Sequence, residues 1–252
     1  MTARRLGQHF LSDPTILARI VDALDPRPGE SVIEIGPGKG GLTRELLARG
    51  LHVIAIERDR ALAATLATED NLTVVTGDAL QVDWHSYGAE KVIGNIPYYI
   101  TSPLIDKALT PPLPERVIFL VQDEVADRLA ARPGSKTYGA LTIGVQAACR
   151  VEKLFTVAAG AFRPPPKVRS AVVRLTPLAE PLVTSEEVAP FRVFVTACFG
   201  KRRKQLKNAV PGLAEWDVAN LGIDPTVRPE RLPPEAFVRL FREGLARHFK
   251  KS

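Results

Sequence analysis

The first 130 residues alternate short apolar runs with helix-patterned segments, and this alternation constrains the fold more than any other feature. Ser31–Ile35, His52–Glu57, Leu72–Thr76, Val92–Gly94 and Arg116–Val121 have the length and composition of buried strands. Leu42–Ala48, Arg60–Ala67, a stretch from Thr101 or Ser102 to Leu109, and Asp123–Ala131 read as the helices that follow them. That order predicts an α/β fold built on a parallel, doubly wound sheet. Ligands of such sheets bind beyond the carboxyl ends of the strands. Gly36, Glu57, Asp78 and Asn95 all fall at such ends, so four sequence-distant positions are expected in one crevice. A helix ahead of the first strand is predicted from Asp13 as N-cap and Pro14 at the first helical position. Ile16, Leu17, Ile20, Val21 and Leu24 recur at helical spacing along it, and Pro26, Pro28 and Gly29 end it.

Beyond Pro133-Gly134 the pattern is less regular, with a helix expected over Leu141–Ala148 and strands over Val151–Val157 and Ala171–Leu175. Between those strands, Phe162-Arg163-Pro164-Pro165-Pro166-Lys167-Val168-Arg169-Ser170 reads as a stiff, extended loop, in which Lys167 and Arg169 form a candidate clamp on a nucleic-acid backbone. Past about Pro181 the reading is all-helical, with helices near Ala189–Phe199, Lys201–Val210, Glu215–Leu221 and Pro234–Phe249. Two domains are therefore expected, residues 1–180 and 181–252.

The net charge of +6 is unevenly spread: residues 181–252 carry 13 Lys/Arg against 8 Asp/Glu, and residues 1–180 carry 21 against 20. Lys201-Arg202-Arg203-Lys204 with Lys207 places five cations in seven residues of that basic segment. Such a run is usually a solvated helix face, but here it points to a polyanionic partner. The longest apolar run, Val117–Val121, is too short for a membrane span. The N-terminus has no apolar signal-peptide core, and Cys149 and Cys198 lie far apart. The expected setting is thus a reduced cytoplasm. His9, His52, His85 and His248 are scattered, so no zinc site is expected.

Gly36-Pro37-Gly38-Lys39-Gly40-Gly41 follows the first strand and is ambiguous alone. Gly36-x-Gly38-x-x-Gly41 fits a dinucleotide fingerprint, with Glu57 at the right distance to bond a ribose, so a nicotinamide dehydrogenase is a rival reading. Three features favour a cofactor with adenosine but no pyrophosphate, S-adenosylmethionine. Glu34 stands two residues before the first glycine, and Asp78 ends the third strand, placed either to meet an adenine amine or to hold the loop. The fourth strand ends in Asn95-Ile96-Pro97-Tyr98-Tyr99 instead of a hydride-transfer acid or base.

That last stretch suits a flat heterocycle with an exocyclic amine. Pro97 has no N–H for the ladder and stops the strand. Asn95 and a nearby carbonyl can accept both amine hydrogens, while Tyr98 supplies a stacking face. By itself the stretch reads first as a turn with two half-buried tyrosines, and its place after the glycine loop and two acidic strand ends is what favours the site.

Taken together, the motifs resemble those of a known family. Gly7-Gln8-His9-Phe10-Leu11, Glu34-Ile35-Gly36-Pro37-Gly38, Gly77-Asp78-Ala79, Asn95-Ile96-Pro97-Tyr98, the Phe162–Ser170 loop and Phe199-Gly200-Lys201-Arg202-Arg203-Lys204 occur in the order found in the ribosomal RNA adenine dimethyltransferases, and most resemble their small-subunit, KsgA/RsmA type. The resemblance implies a Rossmann-like methyltransferase domain and a small all-helical C-terminal domain. It implies S-adenosylmethionine as donor, S-adenosylhomocysteine as product, and dimethylation of two adjacent adenosines near the 3′ end of small-subunit ribosomal RNA. The expected partner is immature small ribosomal subunit and the expected state a monomer. Within the site, the resemblance implies that His9 and Leu11 close over the cofactor, with Gly36 and Gly38 at its methionine end. Glu57 would meet the ribose, Asp78 with Ala79 the adenine, and Asn95, Pro97 and Tyr98 the transferring centre. His9 stands where many relatives have Asn. Phe162 is a candidate for the second face of the target base. Lys201, Arg202, Arg203, Lys204 and Lys207 would hold RNA phosphates. Two rivals share parts of this pattern: a large-subunit adenine methyltransferase of antibiotic resistance, and a factor that kept the fold only to bind nucleic acid.

Overall fold

The structure is a computed structural model that describes residues 9–66, 70–201, 204–210, 213, 216, 218 and 220–250, the side chains of 247–250 excepted. Gly7, Gln8, Ala67, Arg202, Arg203 and Glu215, named above, lie outside the described residues. The chain divides into two compact units, residues 1–126 with 151–177, and residues 127–150 with 178–252. The sequence reading had drawn one cut at 180/181; by contacts the stretch 127–150 groups with the C-terminal segment.

In the first unit the expected elements form in order. Ahead of them stands β1 (Phe10–Leu11), a short strand that was not read from the sequence. They are α1 (Pro14–Ala23), β2 (Ser31–Ile35), α2 (Gly41–Ala48), β3 (His52–Glu57), α3 (Arg60–Leu66), β4 (Leu72–Thr76), β5 (Lys91–Asn95), α4 (Thr101–Ala108), β6 (Arg116–Gln122) and α5 (Asp123–Leu129), whose end belongs to the second unit. Asp13 caps α1 as expected, its carboxylate accepting the Ile16 N–H at 3.1 Å. After α6 (Ala140–Gln146) come β7 (Cys149–Val157), β8 (Phe162–Arg163) and β9 (Ser170–Pro177). Among the described residues the main sheet has seven strands in the order β4-β3-β2-β5-β6-β9-β7.

The five strands from the alternating region run parallel, as read, but β9 pairs antiparallel with β6. The sheet is therefore mixed, which the alternation of the first 130 residues did not foretell. Its centre is dry: Val117, Ile118, Phe119, Leu120 and Val121 of β6 are all fully buried. A continuous apolar run is what a strand covered on both faces requires. Close strand approach also explains Gly94 in β5, because a Cβ there would stand 2.8 Å from the Ile35 carbonyl oxygen of β2.

The second unit is helical, with α7 (Val188–Gly200), α8 (Leu206–Ala209) and α9 (Pro234–Lys250) joined by α6. Phe191, Val195, Cys198, Phe237 and Leu240 lie at the centre of its core. Two expectations need correction here. The helix read over Lys201–Val210 shrinks to α8, because the N–H groups of Leu206 and Lys207 are held by the Val227 and Pro225 carbonyls at 2.7 and 3.0 Å. The helix read over Glu215–Leu221 is absent among the described residues, where the amides of Val218 and Leu221 reach only to Trp216 and Val218. Among the described residues no helix is long and apolar enough to cross a membrane.

Gly94→Ala should lower stability by about 1–3 kcal/mol, since the new methyl meets a backbone carbonyl that cannot move without separating β2 from β5. Denaturant unfolding of the purified variant checks this; an unchanged midpoint would mean that the two strands can separate freely.

Candidate active site

The carboxyl ends of β2, β3, β4 and β5 open into one cleft, lined by Gly36, Gly38, Glu57, Asp78, Ala79, Asn95, Pro97 and Tyr98, with His9 and Leu11 from the N-terminal arm. All ten residues named for catalysis or cofactor binding thus line one cleft of the first unit.

Glu57 ends β3 and is 4% exposed. Its Oε2 accepts the Gly38 N–H at 3.0 Å and its Oε1 the Asp59 N–H at 2.8 Å. Each oxygen keeps lone-pair capacity for a further donor, which suits a ribose diol. Gly38 makes this possible twice over. Its φ of 58° is left-handed, and a Cβ would lie 2.8 Å from the Phe10 ring. Phe10, not singled out in the sequence, lays its ring on the loop, with Lys39 Nζ 5.1 Å from the ring centre. Asp78 Oδ1 accepts the Leu80 N–H at 2.9 Å, and its Oδ2 faces Arg58 at 3.7 Å. Little bulk at Gly36 and Ala79, a buried Glu57 carboxylate with lone pairs to spare and Asp78 in the same cleft are the groups that S-adenosylmethionine calls for.

Asn95 ends β5, and its Nδ2 donates to the His9 carbonyl at 2.9 Å. A carbonyl can only accept, so this bond fixes which end of the amide faces His9. Among the described residues Oδ1 has no hydrogen-bond partner. Pro97 turns the chain into one turn of 3₁₀ helix, Tyr98–Ile100, and its carbonyl takes the Ile100 N–H at 3.1 Å. Tyr98 is anchored at both ends. Its hydroxyl lies 2.7 Å from the hydroxyl of buried Ser170, and its ring is stacked with His9 at 6.3 Å between centres. Burial pushes the Tyr98 phenol up, against the opposing bond to Ser170. Ser170 closed the proline-loop motif in the sequence, but nothing there tied it to Tyr98.

The arm is held by pairing of β1 with β8, Phe10 opposite Arg163 and Leu11 opposite Phe162. His9 Nδ1 adds a contact of 2.9 Å to the Pro164 carbonyl. This pairing corrects one expectation. Phe162 is 1% exposed and packs into the core with Leu11, so its ring is not available to a nucleobase. Lys167 is exposed as expected. Arg169, also exposed, is ion-paired at 2.8 Å to Asp123, whose other oxygen is 2.6 Å from Lys153. Lys153 first, then Arg169, holds the Asp123 carboxyl below its ordinary range. Lys201, Lys204 and Lys207 are exposed in the second unit, while Arg202 and Arg203 lie outside the described residues.

The model of the ribosomal RNA adenine dimethylase family matches residues 2–244. The chain belongs to that family. It is 43% identical to ribosomal RNA small subunit methyltransferase A of Hahella chejuensis, over 94% of this chain and 90% of that protein. It is 44% identical to the Pseudomonas aeruginosa protein of the same name, over 94% and 92%. Among solved structures, a dimethyladenosine transferase from Plasmodium falciparum matches with a TM-score of 0.79 at 28% identity, over 96% of this chain and 98% of that one. The 23S rRNA methyltransferase ErmE matches with a TM-score of 0.72 at 30% identity, over 93% and 98%. Enzymes of this family use S-adenosylmethionine, so the nicotinamide reading of the glycine loop falls.

One buried acid in this dimethylase cleft lay outside the expected site. Glu34 of β2 is 1% exposed, lines the cleft and accepts the Thr43 hydroxyl at 2.7 Å. Burial raises its pKa from 4.5 to about 7, with the Glu57 charge adding to the rise and the Thr43 bond opposing it. A carboxyl raised on folding holds its proton in the native state while the unfolded chain has already lost it. Its contribution to stability is therefore complete below pH 4.5 and is lost as pH climbs through about 7. Glu34→Gln should remove a stability slope of about 1.4 kcal/mol per pH unit across that window. Unfolding of both proteins in urea at pH 5 and pH 8 measures it; parallel losses in the two would exclude Glu34 as the source.

Proposed function

We propose that this protein dimethylates N6 of two adjacent adenosines near the 3′ end of small-subunit (16S) ribosomal RNA, as a cytoplasmic monomer acting on immature small subunits. The observation that carries this reading is the Asn95 amide, with its donor committed to His9 and its acceptor free at the cleft wall. S-adenosylmethionine, when bound, supplies a methyl group already activated on a sulfonium.

The residues of the chain then have five tasks. Glu57 holds the ribose, Asp78 and Ala79 flank the adenine of the cofactor, and Gly36 and Gly38 leave room for its methionine end. Asn95 Oδ1 accepts one hydrogen of the target amine, and the Pro97 carbonyl offers its second lone pair for the other. Those bonds favour a more tetrahedral nitrogen, with its lone pair freed from the ring. Tyr98, steadied by Ser170, stacks on the base, which must leave its own stack to enter. Positioning and electrostatics supply the catalysis, and no strong base is needed.

Identities of 43% and 44% to small-subunit enzymes, against 30% to ErmE, support the small-subunit target over the large. A complete set of cleft residues speaks against a factor that only binds nucleic acid.

Asn95→Ala should slow methyl transfer about 10²–10³-fold, the scale for losing one donor or acceptor aimed at a changing charge. Asn95→Asp should be slow as well, because an ionised carboxylate cannot donate to the His9 carbonyl and would face it with like charge. Single-turnover methylation of immature small subunits measures both; wild-type rates would reduce the Asn95 stretch to a turn.

Replacing Lys201, Lys204 and Lys207 with Ala should weaken binding to small-subunit RNA at every sequence. The salt dependence should flatten by about 0.7–0.9 log units per lost phosphate contact. Cofactor affinity should stay constant, and an unaltered salt slope would show that face to be merely solvated.

A further inference from the structure

We propose that Tyr99 is the stacking platform for the base next to the target adenosine, so that two neighbouring tyrosines hold two neighbouring bases. This rests on the adenosine-methylating reading above. Tyr98 and Tyr99 belong to one turn of 3₁₀ helix, in which successive side chains diverge by about 120°. Tyr98 is turned inward and held by Ser170, whereas Tyr99 is turned away and is 61% exposed, yet it still lines the cleft mouth. Among the described residues Tyr99 makes no hydrogen bond or ring contact, so packing does not explain an aromatic side chain there.

The surroundings match a strand of RNA. Among the described residues of the first unit, the exposed large apolar side chains are Tyr99 and Val168. Val168 lies two residues before Ser170, the partner of Tyr98. Exposed Lys167 adjoins Val168 and supplies a cation for the backbone that links two bases. A nucleotide drawn into the cleft leaves its neighbour without a stacking partner. A ring at the rim replaces that partner, and it accepts any base because every base has a π-face.

The test is steady-state methylation of small subunits purified from cells lacking this enzyme, with S-adenosylmethionine affinity measured separately by calorimetry. Tyr99→Ala should raise the KM for subunits about 5- to 150-fold, the fold-change equivalent of losing one base–aromatic stack. kcat should change less, cofactor affinity should hold, and Tyr99→Phe and Tyr99→Trp should remain near wild type. An unchanged KM in Tyr99→Ala, or equal damage in Tyr99→Phe, overturns the platform while leaving the proposed function intact. A wild-type protein that forms no dimethyladenosine on these subunits overturns both.

Discussion

The bond between the Asn95 amide and the His9 carbonyl, beside the stacking of His9 with Tyr98, ties together distant parts of the chain. It spans 86 residues, joining the end of β5 to the arm that precedes α1. The arm is held at that point by the pairing of β1 with β8, by the Ser12 N–H on the Ala161 carbonyl and by the His9 bond to the Pro164 carbonyl. Loss of these anchors would leave the amide free to turn, and its acceptor would no longer be singled out. The orientation of one side-chain group thus depends on the glycine loop, the arm and the proline-rich loop at once.

The same economy is visible at Glu57. Its carboxylate is buried, and two backbone N–H groups satisfy part of its capacity. A buried acid without donors would be costly, and one fully satisfied by protein would bind nothing. Glu34 shows the contrasting case nearby. It has one hydroxyl partner and a like charge close to it, and its pKa rises to about 7. Burial is the main cause of that rise, and the single Thr43 hydroxyl opposes it only in part.

The surface beyond the cleft divides by charge and chemistry. The first unit exposes Tyr99 at the cleft and, on the Phe162–Ser170 loop, Val168 and Lys167. The second unit offers the lysines at 201, 204 and 207. Base stacking and phosphate attraction call for these two different surfaces, one short-ranged and one screened by salt.

Much of this protein was legible before folding. Alternating apolar runs dictated parallel strands β2 to β6, because a strand buried on both faces tolerates little else. Gly36, Glu57, Asp78 and Asn95 were readable as one site, since strand ends of a parallel sheet all point the same way. Pro97 announced the end of β5 by its missing N–H. Other features were decided by contacts between distant segments, which local spacing does not encode. The pairing of β1 with β8 turned Phe162 inward, and the antiparallel β9 delivered Ser170 to the Tyr98 hydroxyl. Capture of the Leu206 and Lys207 amides by the Pro225–Val227 segment shortened a helix whose own pattern ran longer. Tyr99 was visible as a residue from the start, but only the 3₁₀ turn decided that it faces outward while Tyr98 faces in. Local sequence sets which groups are present at a strand end; the partners that reach them from elsewhere in the chain set the direction in which those groups point.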